Sequence, residues 1–447
     1  MFERFDAIVY KVSEYCNLDC VYCFQKHDVK ERTRGFTYFD ELIKLLIILP
    51  LADDFEIKVT GGESSLHCDK IRQDYKKFKK IERYKETNIQ MTTISNGSNI
   101  NGLIDLWNDG ILNPWGCKIS WDGIYSASKS RKPKNIKVFN DDYFNRTITT
   151  LGKSDYNDKV LVRTACTPDT IDNLYDAYKF ALDNGCYKWE YYPLSDCDYY
   201  KDPDFLKKFE EQLYYIFEEN ALEENRDKIV ANVDTMLYTN NMTEKERLRS
   251  INCRHLGHFL HVGIDGSLYP CGYFSDDAFY SNQTLKIGDV FTGLYPEAIN
   301  KFTKEYNQTP MCSVAEEDGC KCFHCFECPA VSKFYKNNLQ NKMRQQCAMR
   351  HIEKKVFEDV YKNYVFDEDQ IKRNFTYAEN WNTWLRAKVY EKFYFLYKGD
   401  LIRMSTETIV KRRQLRKKFF LLFPAAIPVV YVLKGINFIL KLVLKKK

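Results

Sequence analysis

The chain has 447 residues, enough for two or three domains, and its 44% hydrophobic and 15% aromatic content suffices for a real core. Sixteen cysteines follow a start that lacks both the basic stretch and the apolar run of a secretory signal, which excludes a disulfide framework in favour of reduced, metal-binding thiols in the cytoplasm. The net charge of +5 belongs to the tail: residues 411–447 hold eleven Lys and Arg and no Asp or Glu, leaving 56 basic against 62 acidic residues elsewhere, so nucleic acid is not expected as a partner.

Over the first two hundred residues, short β-rich runs alternate with amphipathic stretches. The pattern predicts strands at 7–12, 56–60, 89–95, 117–121, 159–165 and 188–192. Helices are predicted at 40–49, 71–84 and 173–184, the last ended by Gly185. Such alternation implies an α/β fold with a parallel sheet, and six units suit an open, partial (β/α)6 TIM-like barrel. Chemistry in such a barrel sits at the C-terminal ends of the strands. Unusual residues gather there: Cys16 after the first strand, then Gly61, Gly62 and Glu63, then Asn96 and Gly97. Ser120, Asp122 and Gly123 close the fourth, Arg163 lies in the fifth, and Leu194 ends the sixth.

The remaining chain divides by composition. Residues 1–200 form the barrel, 201–250 a charged helical linker without cysteine, and 251–350 a second Cys-rich block. A Lys-, Tyr- and Phe-rich helical extension covers 351–410, and a basic and apolar tail covers 411–447.

Cys16, Cys20 and Cys23 form a C-x3-C-x2-C triad, which supplies three soft thiolates from one loop. Iron–sulfur clusters favour such ligands, and three thiolates leave one iron of a cubane open to a cofactor. A zinc site would need a fourth ligand, and His27 is the nearest candidate. One βα unit later, Gly61 and Gly62 allow close backbone approach to a ligand, and the Glu63 carboxylate can accept from an ammonium group.

Together, triad and Gly-Gly-Glu turn resemble the signature of the radical S-adenosylmethionine (SAM) enzymes, with Ser64 where a proline is usual. The resemblance implies a [4Fe-4S] cluster on Cys16, Cys20 and Cys23 that binds S-adenosyl-L-methionine. It implies further SAM contacts from Tyr22, Gly61, Gly62, Glu63, Asn96, Ser120, Arg131 and Leu194. It also implies reductive cleavage of SAM to a 5′-deoxyadenosyl radical that abstracts hydrogen from substrate, with a reductant such as flavodoxin or ferredoxin as partner.

Eight cysteines fall between 253 and 347: Cys253, Cys271, Cys312, Cys320, Cys322, Cys325, Cys328 and Cys347. Cys253, Gly266 and Cys271 resemble the opening of the SPASM domain, which carries auxiliary iron–sulfur clusters, and Cys347 stands at its closing ligand. One or two auxiliary [4Fe-4S] clusters are therefore implied, although the middle spacing departs from the SPASM pattern; a zinc ribbon on Cys322, Cys325, Cys328 and a fourth Cys or His324 is the competing reading. Cys68, Cys117, Cys166, Cys186 and Cys197 read as small buried apolar residues.

The tail reads either as an interfacial helix giving peripheral membrane contact, or as an apolar helix docked on protein. Its charge-free run of fifteen residues, 419–433, is short of the ~20 a spanning helix needs. With the triad beginning at residue 16, no leader-binding domain is expected ahead of the barrel.

The function implied is modification of a peptide or protein side chain, maturing a ribosomally made peptide. A sulfatase-maturase-like, formylglycine-generating enzyme is the alternative; relatives of that kind carry an Asp after the second SPASM Cys, where this chain has Gly272. A non-catalytic iron–sulfur or zinc scaffold comes from a different class.

Overall fold

The computed structural model describes residues 5–23, 35–194, 202–225, 227–233, 236, 259–275, 285–307, 339–362 and 364. All belong to one compact unit, Met1–Ala378; the second unit, Glu379–Lys447, lies outside the described residues, and so does the tail.

Six parallel strands carry the fold: β1 (Phe5–Ser13), β3 (Leu51–Gly61), β4 (Asn88–Ser95), β5 (Lys118–Ser120), β7 (Leu161–Cys166) and β8 (Lys188–Pro193). They neighbour one another in that order, as the six predicted strands require. Helices return the chain between them: α1 (Phe39–Ile48), α2 (Cys68–Phe78), α3 (Ile100–Asn108), the short α4 (Ser126–Lys129), α5 (Asp141–Gly152) and α6 (Leu174–Asp183).

Local signals set the ends. Asn99 and Asn140 cap α3 and α5 through their side chains, and Gly185, at φ 87°, turns the chain out of α6. The single helix predicted over 71–84 instead tightens after Phe78 into a 3-10 turn, Lys79–Arg83. A three-residue repeat keeps Phe78 and Ile81 on one buried face.

Strand alternation gives the sheet two unlike faces. One packs on the helices: the Tyr10 ring lies edge-on to Phe36, Phe39 and Phe78 with centroids 6.3, 6.0 and 5.3 Å away. Trp189 meets Tyr178 at 5.3 Å. Each such buried side chain contributes about 1.5–3 kcal/mol. The opposite, concave face is polar, and Lys58, Thr92, Lys118, Ser120, Arg163 and Glu190 project from it.

Residues after the barrel extend the same sheet. Beyond β8, α7 (Pro203–Ala221) leads to β9 (Ile229–Val230), parallel to β8 and unforeseen in a stretch read as helical. At the other edge β10 (Phe259–Val262) pairs in parallel with β1. Three short antiparallel strands follow: β11 (Ser267–Tyr269), β12 (Gly288–Asp289) and β13 (Gly293–Leu294). Two helices complete the described chain, α8 (Pro296–Asn307) and α9 (Leu339–Val360). Tyr361, just past α9, donates to Asn220 Oδ1 on α7 at 2.8 Å. A separate ribbon pairs β2 (Leu18–Cys20) with β6 (Arg131–Pro133).

Candidate active site

The cysteine loop leaves β1 at its C-terminal end, as the barrel rule predicts. Cys16, Cys20 and Cys23 are all half-buried. Cys23 N–H donates to Cys20 O at 3.0 Å, and Leu18 N–H donates to Cys16 Sγ at 3.4 Å. Burial pushes both the Cys16 and Cys20 thiols up to about 12; the Glu63 carboxylate adds to the rise at Cys16, and Arg131 opposes it at both. Three sulfurs on one loop, two of them poorly hydrated and one already receiving an N–H, fit a cation-rich cluster that would take up their charge. Among the described residues no group of three or more His, Cys, Asp and Glu is arranged to hold a metal ion. His27, the fourth ligand considered for zinc, lies outside the described residues.

The Gly61-Gly62-Glu63 turn lies directly on this loop. Gly62 N–H donates to Ser13 O at 2.9 Å and Glu63 N–H to Tyr15 O at 2.7 Å. A Cβ on Gly62 would stand 2.1 Å from Tyr15 O, so the glycine lets two loops of the protein touch. Sequence reasoning reserved that closeness for a ligand.

Glu63 also differs from its expected pose. Its side chain is buried and accepts from Ser65 N–H at 2.8 Å, from Asn96 N–H at 2.7 Å and from the Ser95 hydroxyl. Three of about four acceptor directions are taken by protein, so the carboxylate chiefly ties the end of β3 to the end of β4. Ser64, standing where relatives have proline, donates to Ile94 O at 3.3 Å and accepts from Thr93 Oγ1 at 2.7 Å. Asn96 reaches the cysteine loop itself, through Nδ2 to Asn17 Oδ1 at 3.1 Å, while Asn17 donates to Ser98 Oγ at 2.8 Å.

Tyr22 and Arg131 meet on Asp122. This fully buried carboxylate accepts from Tyr22 Oη at 2.5 Å, Ser130 Oγ at 2.6 Å and Ala165 N–H at 3.1 Å. Arg131 Nε lies 3.2 Å from Asp122 Oδ1, an ion pair without an aligned hydrogen bond, and its guanidinium stands 5.7 Å from the Tyr22 ring centroid. Ser120 ends β5 half-buried beside Arg163, and its hydroxyl has no hydrogen-bond partner among the described residues. Leu194 follows β8, buried.

No protein-family model matches the chain, and no curated protein matches it in sequence. Its fold does match solved structures. Histidine-tagged anSMEcpe with bound AdoMet, an anaerobic sulfatase maturase, aligns at a TM-score of 0.61 with 17% identity, over 83% of this chain and 98% of that one. Native anSMEcpe with bound AdoMet and Cp18Cys peptide aligns at 0.57 with 17% identity, over 80% and 99%. The chain shares the fold of these radical SAM enzymes.

On that barrel, the cysteine loop, the Gly-Gly-Glu turn, Asn96, Ser120 and Leu194 all occupy one end of the parallel strands. Asn17, Ser95, Ser98, Asp122 and Ser130 brace that end and were not counted among its site residues. The available signal was small polar residues clustered just past strand ends, as in 95–98.

Of the auxiliary cysteines, Cys271 follows β11 half-buried and Cys347 lies buried on α9. Cys253, Cys312, Cys320, Cys322, Cys325 and Cys328 lie outside the described residues, as does Cys197. Cys117, Cys166 and Cys186 are buried, as expected of apolar fillers, while Cys68 is half-buried. Among the described residues no helix is long and apolar enough to cross a membrane.

Proposed function

We propose that the chain is a radical SAM enzyme that abstracts hydrogen from a peptide or protein side chain and so matures a ribosomally made peptide. The observation that carries this reading is the convergence of three half-buried cysteines, a Gly-Gly-Glu turn and a Ser120 hydroxyl without a partner among the described residues at one end of a radical SAM barrel.

Cys16, Cys20 and Cys23 would hold the [4Fe-4S] cluster. When bound, cluster and SAM supply the 5′-deoxyadenosyl radical. The chain's own residues do the positioning. Asp122 fixes Tyr22 and Arg131 against the cluster loop, and Glu63 holds the loop's floor while keeping an acceptor direction for an ammonium group. Ser120 offers its hydroxyl to the cofactor, and Gly61, Gly62, Asn96 and Leu194 shape the pocket around it. The cysteines of 253–347 would bind one or two auxiliary clusters, and a flavodoxin or ferredoxin would deliver the electron.

A sulfatase-maturase-like reaction is the second reading, favoured by the likeness to anSMEcpe. Against it, Gly272 stands where such enzymes carry an acid, and a Cβ there would lie 3.2 Å from His261 Cε1, so a side chain needs the buried His261 ring to give by a few tenths of an ångström. The test is anaerobic reconstitution of wild type and a Cys16→Ala/Cys20→Ala/Cys23→Ala variant. Loss of about four iron per chain together with loss of 5′-deoxyadenosine is expected. Unchanged iron with no SAM cleavage in wild type would leave a scaffold.

A further inference from the structure

We propose that the concave face of the barrel selects an acidic segment of the substrate, one bearing Asp or Glu side chains; this rests on the reading of the chain as a peptide-modifying enzyme. Among the described residues, strand alternation and register place Lys11, Lys58, Lys118 and Arg163 on this face, against two carboxylates, Glu56 and Glu190. Asp54 and Lys188 add one charge of each sign at the opposite rim, so among the described residues cations still exceed carboxylates by two.

The carboxylates are already engaged. Lys58 Nζ is 3.4 Å from Glu56 Oε2, and Thr92 Oγ1 donates to Glu56 Oε1 at 2.6 Å. Lys118 Nζ lies 3.1 Å from Glu190 Oε1, the same oxygen that Arg163 Nε contacts. One carboxylate thus serves two cations.

Aromatic rings supply the other support. Lys58 stands 4.9 Å from the centroid of Phe259, Arg163 stands 4.6 Å from Tyr192, and Lys188 stands 3.9 Å from Trp115. A ring face stabilises a cation without cancelling its charge. Burial also presses the Lys118 ammonium down to about 8, with Glu190 returning only part of that loss, so a further anion beside it would be welcome. Lys58, Lys118 and Arg163 keep 31%, 26% and 24% of their side chains exposed and are within reach of a ligand. The body outside the tail carries more acidic than basic residues, so bulk attraction does not explain a positive inner face.

The test is fluorescence anisotropy on the full-length, reconstituted protein with three labelled peptides of equal length, one bearing Glu, one Gln and one Lys at the same positions. The Glu peptide should bind wild type about tenfold more tightly than the Gln peptide, with the Lys peptide weakest. Lys58→Gln, and Lys58→Gln/Lys118→Gln, should shrink that preference to about twofold, with circular dichroism unchanged in at least the single variant. Equal binding of the three peptides overturns the proposal. So does a preference kept in both variants, because the basic tail would then carry it. 5′-Deoxyadenosine, measured alongside, separates the two readings: Glu preference without SAM cleavage overturns the enzyme reading and leaves the acidic-segment site standing.

Discussion

Cys20 and Arg131 face each other across an antiparallel ribbon, 111 positions apart in the chain, with Leu18 opposite Pro133 at its far end. The pairing fastens the cysteine loop to the connection after β5, and Asp122 locks it by holding both Arg131 and Tyr22. The loop that would carry the cluster is therefore built from two distant segments.

Asp122→Asn should lower stability by about 3 kcal/mol, because it leaves the buried Arg131 charge without its counterion. Urea unfolding measures the loss. Iron content after reconstitution should fall with it, since Tyr22 and Arg131 both position the loop. An unchanged unfolding midpoint would show that the pair does not hold the ribbon.

Gly62→Ala should cost several kcal/mol and abolish cluster loading, since the new methyl would overlap Tyr15 O and Cys16 N. Gly110→Ala is the control: its φ is 65° and nothing lies within 4 Å, so the cost is about 1 kcal/mol of backbone strain. Thermal unfolding with iron analysis compares the two.

Ser120→Ala should leave stability within about 0.5 kcal/mol, because the hydroxyl has no described protein partner. SAM affinity of the reconstituted protein, followed by equilibrium dialysis, should nevertheless fall several-fold. Glu63→Gln should behave differently and lose about 2 kcal/mol, since an amide NH2 would meet the donors that now serve a carboxylate. Equal stability losses in both variants would remove Ser120 from the pocket.

His261 lies buried on β10 with Nε2 unpartnered, and burial first, then Lys11, holds its imidazole down to about 3. The unfolded chain binds a proton near pH 6.5 and the folded one does not, so stability drops as pH falls from 6.5 towards 3. By pH 5 the loss from this residue is about 2 kcal/mol. His261→Gln should flatten the fall in melting temperature between pH 7 and 5. An identical slope in the variant would place the acid sensitivity elsewhere.

The barrel was legible because each strand is a β-rich run, three of them (β3, β4 and β5) ended by Gly, Asn or Asp, and because the helices between carry one apolar face. The ribbon was not: three residues in each strand give no periodicity, and Asp122, just before β6 in the chain, holds it through Tyr22, Ser130 and Arg131. Glu63 shows the other limit. Residue type announced a carboxylate at a strand end, but only the neighbouring Ser95 and Asn96 determine that it turns inward. The strand at 229–230 was hidden for the first reason, being two residues long beside β8.

One consequence of the sheet order concerns how the chain is made. β1 is flanked by β3 on one side and by β10 on the other, yet β10 leaves the ribosome about 250 residues later, so the pairing that covers β1 is non-local and late. Until then β1 offers an open hydrogen-bonding edge to any other strand. Fragments ending before residue 259 should therefore aggregate during synthesis, although they contain every residue of the six-stranded barrel.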